Sequence, residues 1–179
     1  MQKLNKIFED SYVLCLCEGG AEISIMNILV NSNKLIFNKE NLIQKKVYPR
    51  MKVRKVESKF LNKRYSKSLV ILRIIDSSRE QFNLKKQYRG RFRKVKCLTK
   101  PEIEILVIID KDELEEFYKV KSKQKASIFC KSHLNFKNIK DKNFMDEYFD
   151  IDRLIEALRV YKHKSKNDHY TIYDLIDNV

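Results

Sequence analysis

The chain has 179 residues, of which 43% are apolar, and a formal net charge of +14 at pH 7. This length supports one hydrophobic core, and the short apolar runs exclude a membrane-spanning helix. Because the N-terminus also lacks the apolar stretch of a signal peptide, we expect a cytoplasmic protein. The four cysteines lack the spacing of a zinc site, so we expect buried, reduced thiols. The positive charge favours nucleic acid as the partner; acidic protein or membrane surfaces are the alternatives, and of these we expect a protein and no membrane partner.

Alternating apolar residues predict a first strand over Tyr12–Cys17, which stops at Glu18 and a pair of glycines. The pattern then changes to helical spacing over Ala21–Val30. Two carboxylates, Glu18 and Glu22, are thereby placed at the carboxyl end of a strand, which is the edge where open α/β sheets bind ligands. Because Glu22 falls on the first helical turn near Glu18, the pair is a candidate site for a divalent metal.

The longest apolar runs predict strands covered on both faces, as in parallel sheets. One run covers 69–75 and ends at Asp76, and another covers 103–109 and ends at Asp110 and Asp112. The chain order predicts an α/β fold with a mainly parallel sheet flanked by helices. We expect a core over 1–125 with a helical C-terminal extension over 126–179, or a single domain over 1–179. The less regular elements are a strand at 34–37, the approach to another at 42–50, a basic amphipathic helix at 54–65 and helices from 150 to 179.

Carboxylates at several strand ends indicate phosphate chemistry, because Mg²⁺ takes one or two protein carboxylates and completes its shell with water and substrate phosphates. Taken singly, Asp76, Asp110 and Asp112 are explained at least as well by helix capping or by solvated turns. Glu18 is a poor cap. The repetition of acids at strand ends therefore favours a metal site.

The order of a strand, Glu18-Gly-Gly-Ala-Glu22, a helix, further strands and a strand-end aspartate resembles the Toprim domain. The resemblance is to its compact forms in OLD-type nucleases and small defence-associated proteins, and it covers residues 11 to 112. It implies Mg²⁺ or Mn²⁺ as the cofactor. It also implies acid/base chemistry or metal positioning for Glu18, and it makes Glu22 the second glutamate of the OLD-type pattern.

The metal-binding acid of the later strand has three candidate positions under this resemblance. Asp76 occupies the position that strand order predicts for the metal-binding aspartate, but no second aspartate follows it at the Asp-x-Asp spacing. Asp110 and Asp112 have the Asp-x-Asp spelling but follow the next predicted strand. A strand-borne Glu-x-Glu motif would instead place Glu102 or Glu104 near the metal.

Two basic tracts predict the nucleic-acid surface. Residues 45–64 contain nine Lys and Arg against one acid, and residues 85–96 contain seven and no acid. In the second tract aromatic residues alternate with arginines, which bind phosphates while aromatic rings stack on unpaired bases. The alternative for Phe92 is a buried anchor beneath a solvated loop. The candidate nucleic-acid-binding residues are Lys85, Lys86, Arg89, Arg91, Phe92 and Arg93, with Arg73 and Lys125 in addition.

Arg73 and Lys125 each have two interpretations. Arg73 interrupts an apolar strand, so it either forms a structural ion pair or reaches a site carboxylate or phosphate. Lys125 follows the acidic cluster and lies either near a scissile phosphate or in a solvated turn.

The sequence lacks zinc spacing, a hydrolase nucleophile turn and a Gly-rich phosphate loop. The predicted function is metal-dependent cleavage or nicking of DNA or RNA, which the resemblance connects to phage defence. One alternative is a catalytically weak module that binds nucleic acid. Another is an interaction protein that docks an acidic partner or belongs to a larger defence complex. A homo-oligomer also stays open.

Overall fold

A computed structural model describes residues 2–165 and 169–177 of the chain. Its centre is one sheet of four parallel strands in the order β2-β1-β3-β4. Ser11 pairs with Ser68, and Val70 pairs with Arg93, so the carboxyl ends of the strands share one edge. The strands are β1 (Ser11–Cys17), β2 (Tyr48–Pro49), β3 (Ser68–Ile75) and β4 (Arg93–Leu98).

Helices flank this sheet, which confirms the predicted α/β class with a parallel sheet and C-terminal helices. A π-helical turn, Glu57–Leu61, continues the third helix. None of the helices in the described part of the chain has the length and apolar character needed to cross a membrane. The helices are α1 (Gln2–Phe8), α2 (Gly20–Asn31), α3 (Val53–Val56), α4 (Ile105–Asp110), α5 (Leu114–Val120), α6 (Ala126–Ser132), α7 (Phe144–Tyr148) and α8 (Ile151–Lys164).

The sheet has a hydrophobic cluster on each face, because successive side chains of a strand point to opposite sides. The first face carries Val13 and Cys15 and is covered by every helix except α3. Its cluster extends from Leu4 to Ile176, so residues before and after position 125 share one core. The second face carries Leu14 and Leu16 and is covered by α3 and by the segment between β3 and β4.

The predicted strand over 103–109 is wrong. Ile105–Asp110 forms helix α4, whose first four residues are all buried among α5, α6 and α8. A helix buried on all sides has no polar stripe, so its sequence cannot be distinguished from that of a covered strand by periodicity. The missing strand is β4, which lies at the sheet edge and overlaps the end of the second basic tract. Lys and Arg at an edge strand interrupt the apolar signal.

Two shorter elements also differ from prediction. Residues 34–37 do not form a strand, although Leu35 makes an isolated bridge to Ile176. The basic helix predicted over 54–65 is only α3 and its π-helical turn. The predicted helical tail is confirmed in α8 and continues in a 3-10 turn over Ile172–Leu175, whereas 166–168 and 178–179 lie outside the described residues.

Candidate functional site

An acidic pocket of about 210 Å³ opens at the carboxyl edge of the sheet. The chain leaves β1 toward β2 on one side and leaves β3 toward β4 on the other, so the connections diverge between β1 and β3. Ligands of open α/β sheets bind at such a switch point. The residues that line the pocket are Glu18, Gly19, Gly20, Ala21, Glu22, Asp76, Glu102, Ile103, Glu104 and Lys140.

Glu18 follows β1 and is held by two donors. Its Oε1 accepts a hydrogen bond from Arg50 Nη1 at 2.8 Å, and its Oε2 accepts one from the backbone N–H of Asp76 at 2.8 Å. Arg50 follows β2, so the contact joins the ends of three adjacent strands. The Glu18 side chain is 22% exposed and the Arg50 side chain is 51% exposed. Both groups are therefore partly accessible to solvent, and Glu18 lines the acidic pocket while Arg50 lies beside it.

Glu22 lies on the first turn of α2 and is almost fully buried. Its Oε2 accepts a hydrogen bond from the backbone N–H of Gly19 at 3.0 Å, which caps the helix. A Cβ at position 19 would lie 3.0 Å from that oxygen, so a larger residue there would require the Glu22 carboxylate to shift slightly, whereas the φ of Gly19 is open to any residue. Burial raises the pKa of Glu22, and the negative charges of Glu104 and Glu18 raise it further. The hydrogen bond from Gly19 acts in the opposite direction but is outweighed.

Asp76 follows β3 and lies beside Glu18. Burial raises the pKa of Asp76, and its hydrogen bonding and charge repulsion with Glu18 raise it further. A carboxyl group with a raised pKa holds its proton more readily than usual. A bound cation would reverse this effect, because it favours the charged form.

Glu102 and Glu104 enter the pocket from the loop between β4 and α4. Ser127 donates to Glu102 Oε2 from its backbone N–H at 3.0 Å and from its hydroxyl at 2.8 Å. Burial acts to raise the pKa of Glu102, but the Ser127 hydrogen bonds and the charges of Lys140 and Lys125 outweigh it, so the net shift is downward. Both predicted glutamates therefore line the pocket, although neither lies on a strand.

Lys140 supplies the cation that lies inside this pocket. Its Nζ is 2.6 Å from Glu104 Oε1 and 3.7 Å from Glu102 Oε1, and the Glu104 side chain is only 3% exposed. Burial acts to lower the pKa of Lys140, but the adjacent Glu104 carboxylate outweighs it and the net shift is upward. Five carboxylates and one ammonium group thus share the pocket.

Asp110 and Asp112, which form the Asp-x-Asp motif, lie outside the acidic pocket. Their predicted position at the end of a strand is wrong, because the residues before them form helix α4. Asp110 ends α4 and accepts hydrogen bonds from Arg153 and Tyr148. Burial acts to raise the pKa of Asp110, but these donors outweigh it and hold the pKa below its usual value. Asp112 has φ +57°, which fits the left-handed residue after a helix. Neither residue lines the acidic pocket.

Arg73 has a structural partner. Its Nη2 lies 2.5 Å from Glu80 Oε1, its side chain is 7% exposed, and its guanidinium lies 4.7 Å from the ring centroid of Phe82. The described contacts pair it with neither Glu18 nor Asp76.

The predicted nucleic-acid residues fall into three environments. Lys85, Lys86, Arg89, Arg91 and Arg93 are exposed. Phe92 is half-buried against the cluster on the second face, which fits the anchor interpretation. Lys125 precedes α6, and its charge acts on Glu102 at the pocket.

Sequence reasoning missed Lys140 and the pairing of Arg50 with Glu18. Lys140 is brought in by the chain after α6, with no local pattern to mark it, while Arg50 was visible only as one residue of a basic tract. Arg50 could have been predicted to lie near Glu18 because it directly follows β2, and parallel strands place their carboxyl ends side by side.

Among residues 2–165 and 169–177, no three His, Cys, Asp or Glu side chains are arranged as ligands of one ion. The donors present are nevertheless carboxylate oxygens, the ligand type that suits Mg²⁺ and Mn²⁺. Because Mg²⁺ binds through only one or two protein carboxylates, the donor set of this pocket fits such an ion.

Fold and site together define an α/β protein with an acidic pocket at the switch point of a parallel sheet. No protein-family model matches the chain, and neither a curated protein nor a solved structure matches it. The Toprim resemblance therefore stays a prediction based on Glu18, Glu22 and the strand-end acids.

Proposed function

We propose that the chain is a divalent-metal-dependent phosphodiester hydrolase that cleaves or nicks DNA or RNA. The observation that carries this proposal is the convergence of five carboxylates, from three segments far apart in sequence, on one pocket at the switch point of the sheet. Clustered carboxylates repel one another and cost folding free energy, so such a cluster in a cleft marks a candidate functional site. The Toprim resemblance supports the same chemistry and is the sole basis for a role in phage defence.

The residues that would hold the metal are Glu18 and Asp76, which meet at the ends of β1 and β3, with Glu102 and Glu104 as further acids of the pocket. When bound, Mg²⁺ or Mn²⁺ polarises a phosphoryl oxygen and lowers the pKa of water. Arg50 is exposed beside Glu18, so its guanidinium is placed to contact a phosphate oxygen as well.

Hydrolysis forms a bond between a water oxygen and phosphorus while the bond to the leaving oxygen breaks. We propose that Glu18 accepts the proton of the attacking water, because its side chain is more exposed than that of Glu22. The leaving oxygen needs a proton in return. Glu22 is the candidate donor, because its raised pKa keeps a larger protonated fraction than an ordinary glutamate has.

The test uses supercoiled plasmid, single-stranded DNA and RNA with Mg²⁺, with Mn²⁺ or with EDTA. We expect cleavage that needs the metal, is lost in Asp76→Asn and is retained in Asp112→Asn. Asp112 is a matched control, because asparagine also tolerates its positive φ. Mn²⁺ titration by calorimetry should show weaker binding for Asp76→Asn alone. Equal activity and metal affinity in both variants, or cleavage in EDTA, would exclude this site.

A second candidate is a nucleic-acid-binding module without hydrolytic activity. The observation that favours it is that the acids already have protein partners: Glu18 with Arg50, Glu102 with Ser127, and Glu104 with Lys140. This candidate predicts binding without cleavage for every substrate and either metal.

A further inference from the structure

The positive charge of the chain is concentrated in two segments. Residues 50–64 and 79–94 together contain fourteen Lys and Arg but only two acids, so they carry twelve of the fourteen net positive charges. All fourteen basic residues are exposed. Glu57 is buried, and Glu80, whose side chain is 19% exposed, pairs with the buried Arg73 and with Arg50 at 3.4 Å. The outer surface of both segments is therefore basic without interruption by an exposed acid.

The two segments cover the same face of the sheet and contact each other there. Both contribute to the hydrophobic cluster on the second face, through Val56 and Phe60 in one and Phe82 and Tyr88 in the other. Glu57 Oε1 accepts a hydrogen bond from the backbone N–H of Lys85 at 2.7 Å. The Tyr88 hydroxyl also bonds to Asn62. We call this combined surface, formed by residues 50–64 and 79–94 other than Arg93, the basic face; the Arg93 side chain contacts α1 on the first face instead.

The basic face begins at the acidic pocket and crosses the sheet to its opposite edge. Arg50 contacts Glu18 at the carboxyl edge, whereas Arg64 lies at the amino edge, because it directly precedes Tyr65, whose ring packs 5.9 Å from that of Tyr12 at the amino end of β1. The eight residues of β3 span this width. At about 3.3 Å per residue the crossing is roughly 26 Å, which corresponds to about eight base pairs at 3.4 Å each.

The chemistry of the basic face selects phosphates rather than bases. Its largest aromatic side chains, including Phe60, Phe82 and Tyr88, point inward and are buried in the cluster. The groups left on the outside are guanidinium and ammonium groups, which bind phosphate oxygens without reading sequence. A polyanion with closely spaced phosphates matches this surface in charge and in length.

We propose that the basic face binds the sugar-phosphate backbone of nucleic acid and extends about eight base pairs from the acidic pocket, without sequence preference. That the nucleic acid runs from the pocket toward the amino edge rests on the proposed function, whereas its binding to the basic face does not. The two basic tracts, separated in the sequence, thus act as one surface.

The experiment measures the affinity of fluorescent duplexes and single strands of 4, 8, 12 and 20 nucleotides by anisotropy in EDTA. Because no metal is present, the result does not depend on cleavage. The test variant replaces Lys55, Lys63 and Lys86 by Gln. The matched control replaces Lys123, Lys131 and Lys137 by Gln, which removes the same charge from exposed positions outside the basic face.

We expect the affinity of the wild type to rise steeply up to about eight nucleotides or base pairs and to rise more slowly beyond. The slope of log K against log salt should become smaller by about two to three units in the test variant, because each lost contact with duplex phosphate contributes about 0.9. The control should change it by less than about one unit. Binding of either duplex or single strand supports the proposal.

Three results would overturn it. Equal losses in both variants would mean that binding follows total charge rather than this surface. An unchanged test variant, or no binding by the wild type at low salt, would mean that the face does not contact nucleic acid. Competition by polyglutamate as strong as that by DNA of equal charge would mean that phosphate spacing is not recognised.

Discussion

Glu18→Gln removes the charge of the central pocket acid with little change in shape. The side-chain oxygen of glutamine can keep the hydrogen bond from the backbone of Asp76, while the ion pair with Arg50 is lost. Because Arg50 is half exposed, that pair contributes about 0–1 kcal/mol. The variant should therefore be destabilised by at most about 1 kcal/mol, which lowers the melting temperature of a domain of this size by about 2–4 °C.

The expected effect on the reaction is much larger. Proton transfer by a positioned side chain contributes about 100- to 10,000-fold to a rate. We therefore expect the initial rate of metal-dependent plasmid nicking to fall at least 100-fold in Glu18→Gln. The assay follows conversion of supercoiled to open-circular DNA, with the melting temperature measured on the same preparation. Glu156→Gln is the matched control, since it also removes a carboxylate from an arginine pair, at Arg159, outside the pocket.

Two results would contradict this reasoning. Nicking at the wild-type rate in Glu18→Gln would remove Glu18 from the catalytic assignment. A fall in melting temperature of about 10 °C or more, which corresponds to several kcal/mol, would show that Glu18 mainly stabilises the junction of β1, β2 and β3.

Two further predictions concern Glu22 and Phe92. The raised pKa of Glu22 means that the folded state binds its proton more tightly than the unfolded state, so its contribution to stability is complete below the unfolded pKa and is lost as pH rises through the folded pKa. Relative to wild type, Glu22→Gln should therefore gain stability as pH rises from 4 to 7; a pH-independent difference in melting temperature would refute this. Phe92→Ala should cost about 2 kcal/mol of folding stability, roughly half the value of a fully buried phenylalanine, with little effect on binding. If single-strand affinity falls by about 1–3 kcal/mol at unchanged stability, Phe92 stacks on bases instead.

The central strands of the sheet and helix α2 could be predicted because their sequence patterns are local. Strand β1, helix α2 and strand β3 have continuous or alternating apolar patterns, and Glu18 and Asp76 mark their ends. Parallel pairing then follows from the covered strands, and it places Glu18 beside Asp76. The α/β fold class could thus be predicted from a few segments.

The peripheral elements were not predictable in the same way. Helix α4 is buried on every side, so its sequence has no helical stripe, and β4 carries the lysines of an edge strand. Glu102 and Glu104 were named for a strand-borne motif, yet they reach the pocket from a loop. Lys140 is joined to Glu104 only by tertiary packing, which no pattern within a short window records. The joining of the two basic tracts into one face likewise depends on contacts such as that between Glu57 and Lys85.

The buried thiols of β1 can report on the local opening of β1 and α2. Cys15 and Cys17 are fully buried in the same cluster as α2, and burial raises the pKa of Cys17 well above its usual value. A thiol in this state does not react with an alkylating reagent until the strand and helix around it separate. The labelling rate of Cys15 and Cys17, measured separately from that of Cys97 and Cys130, therefore reports how often the segment that holds Glu18 and Glu22 opens. A ligand that ties these glutamates together would slow that labelling.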